Sequence, residues 1–132
     1  KMAPESADEK VLKAMKKPNN KSFLEFCQIY KEYSKKYHKN QFISCYFIAA
    51  HPGESEKEAL NTHNFISKYL DFSPEQVQIF TPTPSTWAPC SYYTGFDEEG
   101  NNMYIEKQLN KKEKYKEIIM GKNKNIKSNK KK

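Results

Sequence analysis

Residues 46–54 read YFIAAHPGE, an apolar run that stops abruptly on a histidine, a proline, a glycine and an acid. Such a run, bounded by turn residues, fits a strand buried on both faces, as in a parallel sheet flanked by helices. In open α/β sheets and α/β barrels, ligands bind where strands give way to loops at their carboxyl ends. His51, Pro52 and Gly53 fall at such an end. Pro52 fixes its φ and lacks an amide donor, while Gly53 permits positive φ, so the chain can leave the sheet in a tight turn beside a flat ligand. The same residue types also serve a βα turn with no ligand. Two further strand ends carry polar side chains. Pro4-Glu5-Ser6 offers Glu5 as an acceptor for a pair of ribose hydroxyls, or as a first-turn helix residue favoured by the dipole. Thr81-Pro82-Thr83-Pro84 is a proline-rich exit of the kind that shapes a pocket rim.

These ends need strands and helices to position them. A serine followed three residues later by a glutamate, the capping-box signal for a helix start, occurs at Ser6/Glu9, Ser22/Glu25 and Ser55/Glu58. The first helix is expected over about 7–17, with Val11, Leu12 and Met15 on one side and Pro18 as its stop. The second, about 23–38, repeats Phe23, Phe26, Cys27, Tyr30, Tyr33 and Tyr37 at helical spacing, which reads as a core-facing aromatic stripe. The third, about 56–70, is expected to bury Ala59, Leu60, Ile66 and Leu70, with His63 on the same stripe. Strands fit at 42–49 and 77–81, with a first strand ending near Met2-Ala3. Strand, helix, strand, helix, strand implies parallel βαβ units with right-handed crossovers. From Thr83 the pattern changes: Pro84 and Pro89 predict an irregular loop, FDEEGNN the turn of a hairpin, and 111–120 a last helix with Tyr115, Ile118 and Ile119 inside and Gly121 as its stop.

A chain of 132 residues, 36% hydrophobic and 14% aromatic, suits one modest core. No apolar run approaches the roughly 20 residues that span a bilayer, and no charged-then-apolar leader is present, so a soluble protein without a membrane role is expected. The net charge of +7 is concentrated in residues 122–132, which hold six lysines and no acid. All 23 basic residues are lysine, and the absence of the bidentate arginine fork argues against nucleic-acid recognition; a solvated terminus is the expectation for the tail. Cys27, Cys45 and Cys90 are odd in number, widely spaced and without a C-x-x-C pair, which argues against a disulfide framework or a self-contained metal site and for a reducing cytoplasm. The start at Lys1-Met2-Ala3, running straight into a helix signal, reads as a fragment of something longer.

PESADEKVLKAMKKP, YFIAAHPGESEKEA and FTPTPSTW, in this order and at these separations, resemble the fourth, fifth and sixth strand ends of a radical S-adenosylmethionine (SAM) barrel. The chain is most similar to the YgiQ-type family, which pairs such ends with a C-x-YYTG segment, here Cys90-Ser91-Tyr92-Tyr93-Thr94-Gly95. The resemblance covers about residues 1–120. It implies an α/β fold: a partial (β/α) barrel fragment of about three parallel strands flanked by helices over residues 1–87 and a small irregular or hairpin extension over 88–121; the lysine-rich residues 122–132 lie outside the resemblance and are expected to form a disordered tail. It also implies site roles. Ile48 and the backbone of His51, Pro52 and Gly53 would border the adenine of SAM, Glu5 and Ser6 would face its ribose or methionyl end, and Thr81 to Thr83 would close the far side. Cys90 receives no role from the resemblance and otherwise reads as a buried small hydrophobe.

Two departures accompany the resemblance. Ala50 stands where the family often has glycine. The three-cysteine motif that supplies the iron ligands is absent, so the chain alone has no anchor for a [4Fe–4S] cluster and is expected to be inactive and to bind neither cofactor in isolation. The expected function is therefore that of a fragment of a radical SAM enzyme whose complete form uses SAM and a [4Fe–4S] cluster, with the remainder of the same polypeptide as its partner and a substrate the sequence does not name. The alternative is a non-enzymatic module that binds a nucleotide or an acidic partner. A metal hydrolase built on His38, His51 and His63 is disfavoured, because no two have the i, i+4 spacing of a helical metal site. A cut barrel leaves a strand edge and a sheet face uncovered, so marginal stability or self-association is expected.

Overall fold

The computed structural model describes residues 1–70 and 74–122. Three parallel strands form one sheet in the order β1 (Met2–Glu5), β2 (Cys45–Ala49), β3 (Gln76–Ile79). β2 lies in the middle, with Phe47 opposite Val77 and Ala49 opposite Ile79, while the β1 register shifts between Met2 and Glu5. Crossover helices α1 (Glu9–Ala14) and α2 (Lys21–Lys36) join β1 to β2, and α3 (Glu56–Tyr69) joins β2 to β3. Helices α4 (Trp87–Thr94) and α5 (Leu109–Ile119) follow. The expected α/β class, with three parallel strands flanked by helices, is the observed one.

The alternation along β2 decides the layering. Cys45, Phe47 and Ala49 are wholly buried and share the core with Ile66 of α3 and Tyr115, Ile118 and Ile119 of α5. Burial of a side chain such as Phe47 contributes about 1.5–3 kcal/mol. Tyr46 and Ile48 alternate to the opposite face and are only half buried. The sheet thus has a packed side and an open side, and the strand ends face both.

Of the three serine signals, only Ser55/Glu58 forms a capping box, with the Ser55 amide donating to Glu58 Oε2 at 2.9 Å. The expectation for the other two is corrected. Asp8 caps α1, its Oδ1 accepting from the amides of Lys10 and Val11, because it stands adjacent to the first turn whereas Ser6 is two residues farther out. Asn20 precedes α2 without a side-chain cap. α1 is also shorter than expected and closes at Lys16, whose φ is 59°.

The aromatic stripe of α2 is corrected as well. Cys27 is buried, but Tyr33 and Tyr37 are 56% and 57% exposed. Periodicity marks a face without saying that the face is docked. These rings pack on one another, Phe26 with Tyr30 at 6.1 Å and Tyr33 with Tyr37 at 6.0 Å, and Lys36 lies over the latter pair. In α3, Leu60 is 38% exposed rather than buried, and Glu58 and Thr62 take inward positions instead. The strand expected from residue 42 begins at Cys45, and Phe42 is solvent-exposed.

The stretch expected to be irregular contains α4, with Pro89 in its first turn, where a missing amide costs nothing. Cys90, expected to be buried, is exposed on this helix. The hairpin turn is present: Asp97 N donates to Asn101 O at 2.9 Å and Met103 N to Gly95 O at 2.8 Å. α5 ends as expected at Gly121, in left-handed conformation at φ 69°. The expected disordered tail lies, apart from Lys122, outside the described residues.

Candidate functional site

The carboxyl ends of all three strands open into one cleft of about 530 Å³ on the open side of the sheet. That volume is within the range of small-molecule sites. Glu5 comes from β1, Ile48 and His51 from β2, and Thr81 and Thr83 from the exit of β3. Met15 and Lys16 close one side, and Trp87 at the start of α4 closes another. Five of the eight residues proposed from the sequence therefore line a single space.

The other three occupy supporting positions. Ser6 is wholly buried behind the end of β1, where its hydroxyl contacts Thr62 Oγ1 at 3.4 Å and accepts from the Asp8 amide at 3.2 Å. Pro52 is buried in the turn. Gly53 adopts φ 89°, donates its amide to Tyr104 O at 2.8 Å, and borders a second cavity of about 230 Å³ between α1, α4 and the hairpin. A side chain at Gly53 would be strained by its φ rather than by lack of space, since an added Cβ would meet Ala14 and Met103 only at 3.8 and 3.9 Å.

The β2 exit is tightly organised. Ala50 takes φ 58°, a left-handed conformation that an alanine adopts at a cost of about 1–2 kcal/mol. The chain then turns back so that Glu54 Oε2 accepts the His51 amide at 3.3 Å. Glu54 is wholly buried, and its Oε1 has no hydrogen-bond partner among the described residues. Burial pushes this carboxyl up to about 8 against the lowering effect of the Ala50 and His51 amides, and Asp8 and Glu58 nearby raise it further. At neutral pH Glu54 is a neutral acid that holds the turn.

His51 is also buried, its ring edge-on to Phe80 at 5.1 Å. Burial lowers its pKa below the ordinary imidazole value, opposed by the Pro52 carbonyl and by Glu5. The ring is therefore uncharged at neutral pH. At the edge of the cleft, Glu5 is held in a left-handed conformation at φ 65° and pairs with Lys17 at 3.0 Å. On the open sheet face, the Tyr46 hydroxyl donates to Gln78 Oε1 at 2.7 Å. The cleft thus combines apolar and aromatic walls (Ile48, Phe80, Trp87) with a few hydrogen-bonding groups, the composition of a small-molecule site.

Trp87, Phe80, Tyr46 and Gln78, which line the cleft, and Glu54, which holds the turn behind it, are residues that the sequence reading did not single out. Trp87 and Phe80 sit beside residues that were, yet nothing in their spacing tells which way an aromatic ring turns. Gln78 alternates with Val77 in a strand, which marks it as opposite to the core side.

Cys27 and Cys45 are buried in the core and Cys90 is exposed on α4. Burial pushes the Cys45 thiol up to about 11 and raises that of Cys27, so neither offers a thiolate at neutral pH. Among the described residues no group of three His, Cys, Asp or Glu side chains could hold a metal ion. The described residues do not fit an iron–sulfur cluster. No helix among the described residues is long and apolar enough to cross a membrane.

Comparison with known proteins places the chain within a longer sequence type. It is 42% identical over 125 residues to a UPF0313 protein of Thermotoga petrophila, covering 94% of this chain and 22% of that protein. It is 41% identical over 128 residues to a UPF0313 protein of Fusobacterium nucleatum, with 96% and 22% covered, and 38% identical over 124 residues to one of Methanocella arvoryzae, with 93% and 20% covered. No protein-family model and no solved structure matches the chain. The chain therefore corresponds, over nearly its whole length, to one segment of UPF0313 proteins, and it spans about a fifth of the relatives it matches.

Proposed function

We propose that this chain forms part of the SAM-binding wall of a radical SAM enzyme, and that the polypeptide carrying it supplies the iron–sulfur cluster from elsewhere. The observation that carries this reading is the convergence of Glu5, Ile48, His51, Thr81 and Thr83, from three separate strand ends, on one cleft. Ile48 and Phe80 would flank the adenine, the His51–Gly53 turn would pass along its edge, and Glu5, already fixed by Lys17, would accept a ribose hydroxyl through its second oxygen. Thr81 and Thr83 would close the cleft opposite Glu5. The chemistry such a site would draw from SAM, with a cluster held by another part of the polypeptide, would be removal of a hydrogen atom from a substrate. The part of this chain is to bind, orient and exclude water, and the open face carrying Tyr46 and Gln78 would contribute to the substrate wall. Its buried, protonated thiols suit a reducing, cytoplasmic setting.

The test is anaerobic reconstitution of the polypeptide that contains this chain. The expected result is an iron–sulfur charge-transfer absorption and formation of 5′-deoxyadenosine from SAM with dithionite. Colourless protein that yields no such product after reconstitution would overturn the proposal.

A further inference from the structure

β3 ends the sheet, and its outer edge is bare. Phe80 N donates to Ala49 O at 2.8 Å, which by the alternation of a parallel ladder turns the backbone of Gln76 and Gln78 toward β2 and that of Val77 and Ile79 outward. Neither outward N–H makes a hydrogen bond among the described residues. The opposite edge of the sheet is different. There the β1 register shifts between Met2 and Glu5, and Lys17 Nζ donates to the Ala3 carbonyl at 3.0 Å, two features that spoil a strand as a template for pairing. Gln76–Ile79 contains no proline, no charge and no register shift.

A groove of about 390 Å³ runs along the β3 edge, lined by residues 75–78 from the strand side and by Lys116 and Met120 from α5. Glu75 and Lys116 are opposite in charge, and neither has an ion-pair partner among the described residues. The Glu75 carboxylate touches only Ser44 Oγ, at 3.5 Å. A bare edge accepts an extended strand, and a groove with one unpaired acid and one unpaired base is complementary in charge to itself. We infer that β3 is a self-association edge: two copies of this chain join β3 to β3, antiparallel about a two-fold axis, so that Val77 and Ile79 bond across the junction and Glu75 of each copy pairs with Lys116 of the other. A second copy supplies the edge and both charges at once, whereas an unrelated strand would match the edge alone. The strand is four residues long, so the contact is small and the dimer exchanges with monomer. This inference is independent of what the cleft binds.

The test is sedimentation of the polypeptide carrying this chain at about 5 to 200 µM, the range in which a small interface forms and dissociates. Four samples are compared: wild type, Glu75→Lys, Lys116→Glu and an equimolar mixture of the two variants. Wild type is expected to pass from monomer to dimer as concentration rises. Each single variant sets like charges against each other at both symmetric contacts and is expected to weaken the dimer at least about tenfold. The mixture is expected to recover wild-type association within about threefold, because only the mixed pair has an acid opposite a base at both contacts. Thermal unfolding shows whether each variant is folded, and amide exchange of wild type needs no variant. The Val77 and Ile79 amides are expected to be protected at the high concentration only, and those of Gln78 and Phe80, which face β2, at both. A monomer throughout the range, a dimer that folded single variants leave intact, a mixture that does not recover, or Val77 and Ile79 amides indifferent to concentration overturns the inference. Protection of those two amides in a monomer does so in favour of a strand from elsewhere in the polypeptide.

Discussion

The amide of His51 donates to Glu54 Oε2 at 3.3 Å, so the residue that lines the cleft is tied to a carboxyl group with no access to solvent. The turn that presents the His51 ring is thus clamped from behind by an acid that is neutral under ordinary conditions. A buried carboxyl is costly unless it is protonated or fully paired, and here the amides of Ala50 and His51 supply only part of that pairing.

This arrangement fixes the sign of a pH effect. The folded-state pKa of Glu54 lies at about 8, above its ordinary value of 4.5, so between these limits the folded state holds a proton that the unfolded state has released. Stability from this group is fully present below pH 4.5, falls as pH rises by up to about 1.4 kcal/mol per unit, and levels off above pH 8. Glu54→Gln is expected to flatten that component. The difference in unfolding free energy between wild type and Glu54→Gln, measured by denaturant titration from pH 5 to 9, should shift in favour of the glutamine variant as pH rises.

Ala50 sits immediately before the clamp at φ 58° and is almost wholly buried. Glycine there would relieve the left-handed strain but give up a buried methyl group, roughly 0.8 kcal/mol, so Ala50→Gly should change stability by less than about 1 kcal/mol. Ala50→Val places a β-branched side chain in a conformation it strongly resists and should cost about 2 kcal/mol or more. Chemical denaturation of the two variants reads the contrast; equal stability would show that the left-handed turn is absent.

Gly121 ends α5 against α3. An added Cβ would lie 3.0 Å from His63 Cε1, and the φ of 69° is itself unfavourable for a side chain. His63 is buried, and its Nε2 already contacts Ser67 Oγ at 3.3 Å, so the ring has little room to retreat. Gly121→Ala should lower the unfolding free energy by about 1–2 kcal/mol, measurable as a fall in the denaturation midpoint without a change of slope.

Much of this architecture is legible in the sequence because a few signals are local and physically strict. The segments 42–49 and 77–81 read as strands and overlap β2 and β3, and Ser55 with Glu58 satisfies two orphan amides at once at the start of α3. The same spacing at Ser6/Glu9 fails because Asp8, a better-placed acceptor, takes the cap. α4 is obscured by Pro89, a residue that breaks a helix interior but is harmless in a first turn. The stripe on α2 is legible as a helix face, but its exposure depends on what lies beside the helix, which no periodicity encodes. The candidate site divides in the same way. Polar residues at strand ends name Glu5, His51, Thr81 and Thr83, whereas the clamp by Glu54 and the walls made by Phe80 and Trp87 arise from how the chain turns after each strand.

The central claim is that this cleft holds SAM, and equilibrium binding of SAM to the polypeptide carrying this chain, in wild-type form and with Ile48→Trp, tests it most directly. Ile48 lies in the cleft floor on the open face of β2, so an indole there would fill the space without disturbing Phe47 and Ala49 on the packed side. The account predicts saturable binding by wild type and a loss of at least about tenfold in Ile48→Trp, with the far-ultraviolet circular dichroism unchanged. Equal affinity of the two proteins for SAM, or no binding by wild type, would contradict it.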